Sequence, residues 1–406
     1  MTSFACVAWC DQGKAYTGGS NGVVYIWGGD DGRTCEGTIP GHKGFISALK
    51  FAEGKLYSGA KDGKINCIDV ASKSVTNTIQ MPCLVRAIDC LNGKLVVGLR
   101  DGTICSHDGT NCTNLMSSHS DGEVWGLAEQ ADGTIVTSGD DNKVMWWNPN
   151  DRKHVKTCKV TDRRAKAKRG GASTLSKLPD SQCSRCVAVN GDWVAVAGND
   201  GKVSIRASSA PGDECHLLGD SSEWIEVMAF SPDNKYLAVG SHDNNIYVYS
   251  TADWSLTGTC RGHNSYIMAL DWCTHSKYIR SNCGAYELLF FTVPDCAQDK
   301  SGRTNTTSVE WATLTCKFLW ETQGIYPRGT DGTHINSVTR SADGAFLATG
   351  DDFGLVNIFN NPCIKGKPKS FRGHSEHVVR VLFGQGDARL YSIGGYDQTL
   401  MQWKRC

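Results

Sequence analysis

A short turn that keeps returning limits what this chain can fold into more than any other feature of it. In "YLAVGSHDNNIYVYS" (Tyr236 to Ser250) a small-residue run, Leu237 to Gly240, faces an aliphatic and aromatic run, Ile246 to Tyr249, across polar residues only. Alternation between two faces suits strands, and Asp243, Asn244 and Asn245 tolerate the positive backbone angles of a two-residue hairpin turn. Weaker copies occur in "LYSGAKDGKINCID" and "VVGLRDGTICSH". Marking the turn residue of each copy gives Asn21, Asp62, Asp101, Asp141, Asp200, Asp243, Asp352 and Asp397, with Ala285 filling the place between Asp243 and Asp352. The steps are 39 to 45 residues long except for two, of 59 and 67. A period of about 40 to 45 with hairpins in each unit predicts propeller blades, small four-stranded sheets that bury their faces against one another.

Composition narrows the partners. Lys plus Arg equals Asp plus Glu at 42 each, so no global field draws nucleic acid or an acidic membrane. The nineteen cysteines are odd in number, and many sit inside apolar runs such as "FACVAWC", with Cys6 and Cys10. A thiol there behaves as a small hydrophobe, and with no apolar secretory segment before Phe4 a reducing, cytoplasmic setting is expected. The sequons at Asn111 and Asn305 then carry no glycan. No run of about 18 apolar residues offers a membrane span.

Within the units, "IPGHKGFISALKF", "CRGHNSYIMALDW" and "FRGHSEHVVRVLF" place Gly-His before an inner strand. This grammar resembles the WD-repeat family. The resemblance implies a structural tetrad of a His, a strand Ser or Thr, the turn Asp and a late Trp, for which His119, Ser138, Asp141 and Trp147 come nearest to a full set. The unit with His42, Ser58 and Asp62 has Ile68 where Trp would stand. One copy per unit argues for an internal hydrogen-bond network rather than a catalytic centre.

Each long step marks an insertion. The first, 161–182, follows an expected strand from about Lys153 to Val160 and belongs to a basic stretch. Arg152, Lys153, Lys156, Lys159, Arg163, Arg164, Lys166, Lys168 and Arg169 stand there against Asp162 alone. Without interleaved aromatics, base stacking is not expected. A solvated loop or contact with an acidic protein tail, weakening as salt rises, are the two readings. The second insertion, an irregular blade over 296–333, contains the strand-like runs Val309 to Thr315 and Lys317 to Glu321, then a Pro-Gly-Asp-Gly loop.

That stretch, with "FSPDNKYLAVGSHDNNIYVY", "ALDW", "TGDDFGLVNIF" and the terminal "MQW", closely resembles the carboxy-terminal part of the echinoderm microtubule-associated protein-like family. The resemblance covers essentially the whole chain. It implies two packed propellers in tandem, the second with one irregular blade, and association with microtubules or tubulin. The coiled coil, basic region and short hydrophobic motif that usually precede the family's first propeller do not precede Met1, so the propeller surfaces are the expected sites of contact. A cytoskeletal, cytoplasmic location follows, with a cilium or axoneme as one setting.

The expected architecture is all-β: a closed seven-bladed ring over 113–406, plus three blades of a preceding propeller over 1–112, the alternative being one large ring. Closure is expected from Thr113 to Ser117 pairing with Thr399 to Trp403, because only three residues precede the first inner strand at Phe4. Chemistry has little support. There is no phosphate-binding Gly-Lys-Ser or Gly-Lys-Thr loop, no His-Glu-x-x-His and no Gly-x-Ser-x-Gly. Cys183 and Cys186 form the only Cys-x-x-Cys, without a second pair or a nearby helix start. The expectation is a non-enzymatic interaction protein without cofactor, metal, nucleic acid or membrane partner, binding tubulin or microtubules. The alternatives are a general WD-repeat adaptor, ciliary or in a ubiquitin ligase, and a redox or metal enzyme using Cys183 and Cys186.

Overall fold

A computed structural model describes residues 2–29, 33–160, 183–326 and 334–405. Among them the chain forms nine open antiparallel sheets, each a meander in sequence order. Two compact units divide at Ser120/Asp121. The first holds three four-stranded sheets, Phe4–Pro40, Ile46–Gln80 and Val85–Met116. The second holds six, of which Ile267–Thr292 and Val378–Lys404 have three strands and the others four. The fold is a WD-repeat β-propeller type.

The recurring turn residue acts locally, by capping. The carboxylates of Asp62, Asp101, Asp141, Asp200, Asp243 and Asp397 each accept the backbone N–H two residues on, at 3.0 to 3.1 Å. The positive φ falls on the next residue alone, Asn244 at 71° or Gly63 at 73°, and not on Asp243 or Asn245. At the turn marked by Asp352 the capping carboxylate is Asp351 instead, accepting from Phe353 and Leu355. A side-chain cap of this kind pre-forms the turn, which is why the marker survives where the strands diverge.

Burial differs between the strands of a sheet. In the second unit the second strands are wholly or almost wholly buried, as in Ile135–Gly139, whereas in the first unit Lys94–Leu99 alternates between buried and exposed residues and Cys112–Met116 is exposed throughout. The apolar cores lie between neighbouring sheets; one joins Cys186, Ala195 and Ile205 to Ile225, Leu237 and Tyr249 of the next sheet. In the second unit successive first strands pack side by side, except that Ile267–Trp272 and Ile335–Arg340 each bond to the stretch Thr315 to Lys317, and Val124–Glu129 also packs on Val378–Phe383 of the last sheet. Val124 N donates to Gly395 O at 3.3 Å, and Gln385 N donates to Glu129 Oε2 at 2.9 Å.

Two expectations are corrected. Cys112–Met116 pairs with Ile104–His107, not with the terminal strand, and Leu400–Lys404 pairs with Arg389–Gly394 on one side only. A four-residue turn capped by Asp108 brings the local partner together at far less loop-closure entropy than a strand almost 300 residues away. The runs Val309 to Thr315 and Lys317 to Glu321 form no strands; apart from one bridge between Cys273 and Trp311, the segment ends in a 3-10 helix, Trp320–Ile325. A buried carboxylate takes the place of a ladder. Asp271 accepts from Thr313 Oγ1, Thr315 N and Oγ1, and Cys316 N, and sits 3.0 Å from Arg280 Nε.

Candidate interaction surface

The six first strands of the second unit share an irregularity. Each slips register around its second residue: between Val124 and Gly126, Ser184 and Cys186, Ile225 and Val227, Ile267 and Ala269, Ile335 and Ser337, and Val378 and Arg380. A bulge re-aims the extra side chain away from the alternating pattern of the strand. The re-aimed residues are Trp125, Arg185, Glu226, Met268, Asn336 and Val379, and all six line one cavity of about 580 Å³. The irregular segment adds Lys317 to the same lining.

The chemistry of this mouth is aromatic and charged. The Arg185 guanidinium lies between two indoles, 4.1 Å from the ring centre of Trp125 and 4.7 Å from that of Trp224. Asp140 Oδ1 stands 3.5 Å from its Nε. A cation held this way is pre-oriented, with its face shielded and its edge available. His242 stacks on Tyr266 at 4.6 Å, and its Nε2 is 3.4 Å from Glu226 Oε2. Arg380 donates to Glu226 O at 2.7 Å and holds its guanidinium 3.8 Å from Glu226 Oε1.

Charge placement sets the protonation states. Burial pushes the Glu226 carboxyl up, but the His242 hydrogen bond and the charges of Arg380 and Arg185 outweigh it and leave the group below its ordinary value. Lys317 is buried, donates to Ile335 O at 2.7 Å, and is pushed down to about 8 by desolvation, with Arg380 adding to the effect. Tyr396 and Phe353, 65% and 63% exposed, extend the aromatic character outside the cavity on the loops after Gly394 and Asp351. The lining is aromatic, charged and apolar, an arrangement that suits recognition of a side chain or chain end.

The basic stretch lies elsewhere. Arg152, Lys153 and Lys159 are exposed at the outer strand Lys153–Lys159, while Lys156 is half-buried with Nζ 4.7 Å over the Trp146 ring. Arg163, Arg164, Lys166, Lys168 and Arg169 lie outside the described residues, as does the insertion 161–182. Cys183 and Cys186 are buried at the start of Ser184–Val189, and burial pushes the Cys186 thiol up to about 11. Among the described residues neither belongs to a His, Cys, Asp or Glu grouping that would surround an ion.

The tetrad residues are placed as follows. His119 and Ser138 are buried, Asp141 caps its turn, and the indole of Trp147 donates to Thr137 Oγ1 at 2.8 Å, one residue before Ser138. A full set occurs in the last sheet. His374 Nδ1 is 2.9 Å from Asp397 Oδ2, its Nε2 is 2.7 Å from Ser392 Oγ, and Trp403 Nε1 donates to Ser392 Oγ at 2.8 Å. Sequence spacing hid it, because one more residue separates Ser392 from Asp397 than separates Thr137 from Asp141. The mouth residues had a weak signal of their own, namely the residue after the start of each inner strand, a start that is apolar in all but Ser184–Val189.

A family model described as the echinoderm microtubule-associated protein second beta-propeller matches residues 124–405, and one for the WD domain, G-beta repeat, matches residues 33–69. The chain is 50% identical, over its whole length, to a ciliary WD repeat-containing protein of Euplotoides octocarinatus, covering 57% of that protein. Over 98% of the chain it is 34% identical to the 77 kDa echinoderm microtubule-associated protein of Lytechinus variegatus and 32% identical to echinoderm microtubule-associated protein-like 1 of Homo sapiens, covering 59% and 48% of them. The chain thus spans about half to six-tenths of the length of these relatives.

Proposed function

Because this chain belongs to the echinoderm microtubule-associated protein-like family, we propose that it is a non-enzymatic interaction protein of the cytoskeleton, binding tubulin or microtubules through the bulge-lined mouth of its second unit. In this reading that unit is a closed seven-bladed ring. Six of its blades are the six sheets, and the irregular segment is the seventh, held to Ile267–Trp272 by Asp271 and to Ile335–Arg340 by the bond from Arg340 to Trp311 O at 2.8 Å. The observation that carries the site is the convergence of six bulged residues, with Arg185 held between Trp125 and Trp224. Buried aromatic and arginine side chains at the centre of a concave surface are the usual anchors of protein recognition. The ciliary name of the half-identical relative favours microtubules of a cilium as the setting.

Co-sedimentation with microtubules tests this. The chain pellets with the polymer at low salt, and Arg185→Glu combined with Trp224→Ala lowers affinity about tenfold or more, as loss of a central anchor does. Failure of the unaltered chain to pellet removes the microtubule reading. Binding that survives these substitutions but disappears when the acidic tubulin tails are cleaved transfers the contact to Arg152, Lys153 and Lys159 and the basic residues beyond them.

A further inference from the structure

The blade Ile267–Thr292 departs from its neighbours at the turn. Where the other blades place an Asp or Asn, this one has Ala285, and Glu287 reaches back in its stead, accepting from Asn264 N at 2.9 Å and from Asn264 Nδ2. His263 Nε2 is bonded to Ser281 Oγ at 2.7 Å, as His42 is to Ser58 and His374 to Ser392. Its Nδ1 differs. In His42 and His374 that nitrogen lies 3.2 and 2.9 Å from the turn carboxylate. In His263 it stands 3.4 Å from Glu287 Oε2, buried and without a hydrogen bond. The residue is 93% buried by its 7% exposure, so this is an orphaned polar atom inside the fold.

A third donor faces the same point. Cys283 Sγ is 3.1 Å from Glu287 Oε2, and the ligand atoms of His263, Cys283 and Glu287 all lie within 4.8 Å of one another. The equivalent positions in the blades of His42 and His374 are Ala60 and Gly394, which offer no ligand. We propose that His263 Nδ1, Cys283 Sγ and Glu287 Oε2 form a zinc site in this blade. Donors at about 2.0 to 2.3 Å from one tetrahedral ion stand about 3.3 to 3.7 Å apart, close to the 3.4 Å and 3.1 Å that separate His263 Nδ1 and Cys283 Sγ from Glu287 Oε2. The bond from His263 Nε2 to Ser281 fixes the ring orientation and leaves the Nδ1 lone pair for the ion, the supporting role that second partners of ligating histidines play. Binding takes the Cys283 thiolate, its proton passing to solvent. Glu287, with about a quarter of its side chain exposed, leaves a path for the ion and for a water as fourth ligand.

The test uses the full chain with Cys35, Cys112 and Cys215 replaced by Ser, which removes the exposed thiols among the described residues, and with Cys406 replaced likewise. Cobalt(II) serves as the spectroscopic probe and zinc as its competitor. One equivalent of cobalt gives a thiolate charge-transfer band that zinc abolishes. Cys283→Ser removes the band, and Glu287→Gln or Ser281→Ala weakens zinc binding about 10- to 100-fold. Circular dichroism of each metal-free variant checks that it is folded. No band, or a band of equal strength in folded Cys283→Ser and in folded Glu287→Gln, overturns the site. Because the readout is metal binding, failure here leaves the microtubule reading untouched, and failure to pellet leaves the zinc site untouched.

Discussion

Ser392 accepts one bond and shares another in a space closed to water, with the Trp403 indole at 2.8 Å and His374 Nε2 at 2.7 Å. Ser392→Ala leaves both nitrogens without that partner, at about 1–3 kcal/mol for each buried group left unsatisfied. Trp403→Phe leaves the His374 bond in place. Urea denaturation therefore gives a larger loss of stability for Ser392→Ala than for Trp403→Phe. Lys317 makes a prediction in pH. Its folded value of about 8 lies below the ordinary lysine value of 10.5, so between these the unfolded chain holds more protons and stability rises with pH. Measured against Lys317→Met at each pH, the wild type gains stability from about pH 8 to pH 10 and shows no slope below about pH 7. What was legible at this scale was the grouping of a His, a strand hydroxyl and a turn Asp within single units. Its offset from Ser138 to Thr137 was not, because neighbouring residues on a strand face opposite sides and only the register decides which one meets the indole.

At the scale of elements, two devices replace regular pairing. Bulges turn Trp125, Arg185 and Glu226 toward the mouth, and a carboxylate holds the irregular segment in position. Asp271 is fully buried against a nearly buried Arg280. Asp271→Ala leaves that guanidinium uncompensated and frees Thr313, Thr315 and Cys316, so chemical denaturation is expected to show a loss of about 3–5 kcal/mol. A loss below 1 kcal/mol means that the segment is held by its apolar contacts instead, through Leu314, Cys316 and Leu319. The hairpins were readable from sequence because an Asp capping the N–H two residues on is a local event. The apolar alternation of Val309 to Thr315 suggested a strand for the same local reason, yet its polar groups bond to a side chain more than 40 residues away.

The whole molecule divides into a unit of three sheets and a unit of six with the irregular segment. In the first unit, Phe4, Val7 and Trp9 are exposed on the first sheet, and Leu91, Val96 and Met116 on the third. In the second, the first and last sheets meet, so its strands bury one another. Residues 121–406 expressed alone are expected to unfold in one cooperative thermal transition. Residues 1–120 alone are expected to associate through those apolar strands, visible by light scattering. A monomeric, cooperative 1–120 contradicts this. The amino-acid sequence by itself determined the blade and its repeat, since capped turns, strand alternation and the Gly-His step all act over a few residues. Which residues converge on one mouth, where Cys112–Met116 pairs, and how the irregular segment is anchored were decided only by the tertiary structure. Those choices depend on register and on contacts between residues far apart in the chain, where a one-residue bulge changes the direction of a side chain without changing the pattern around it.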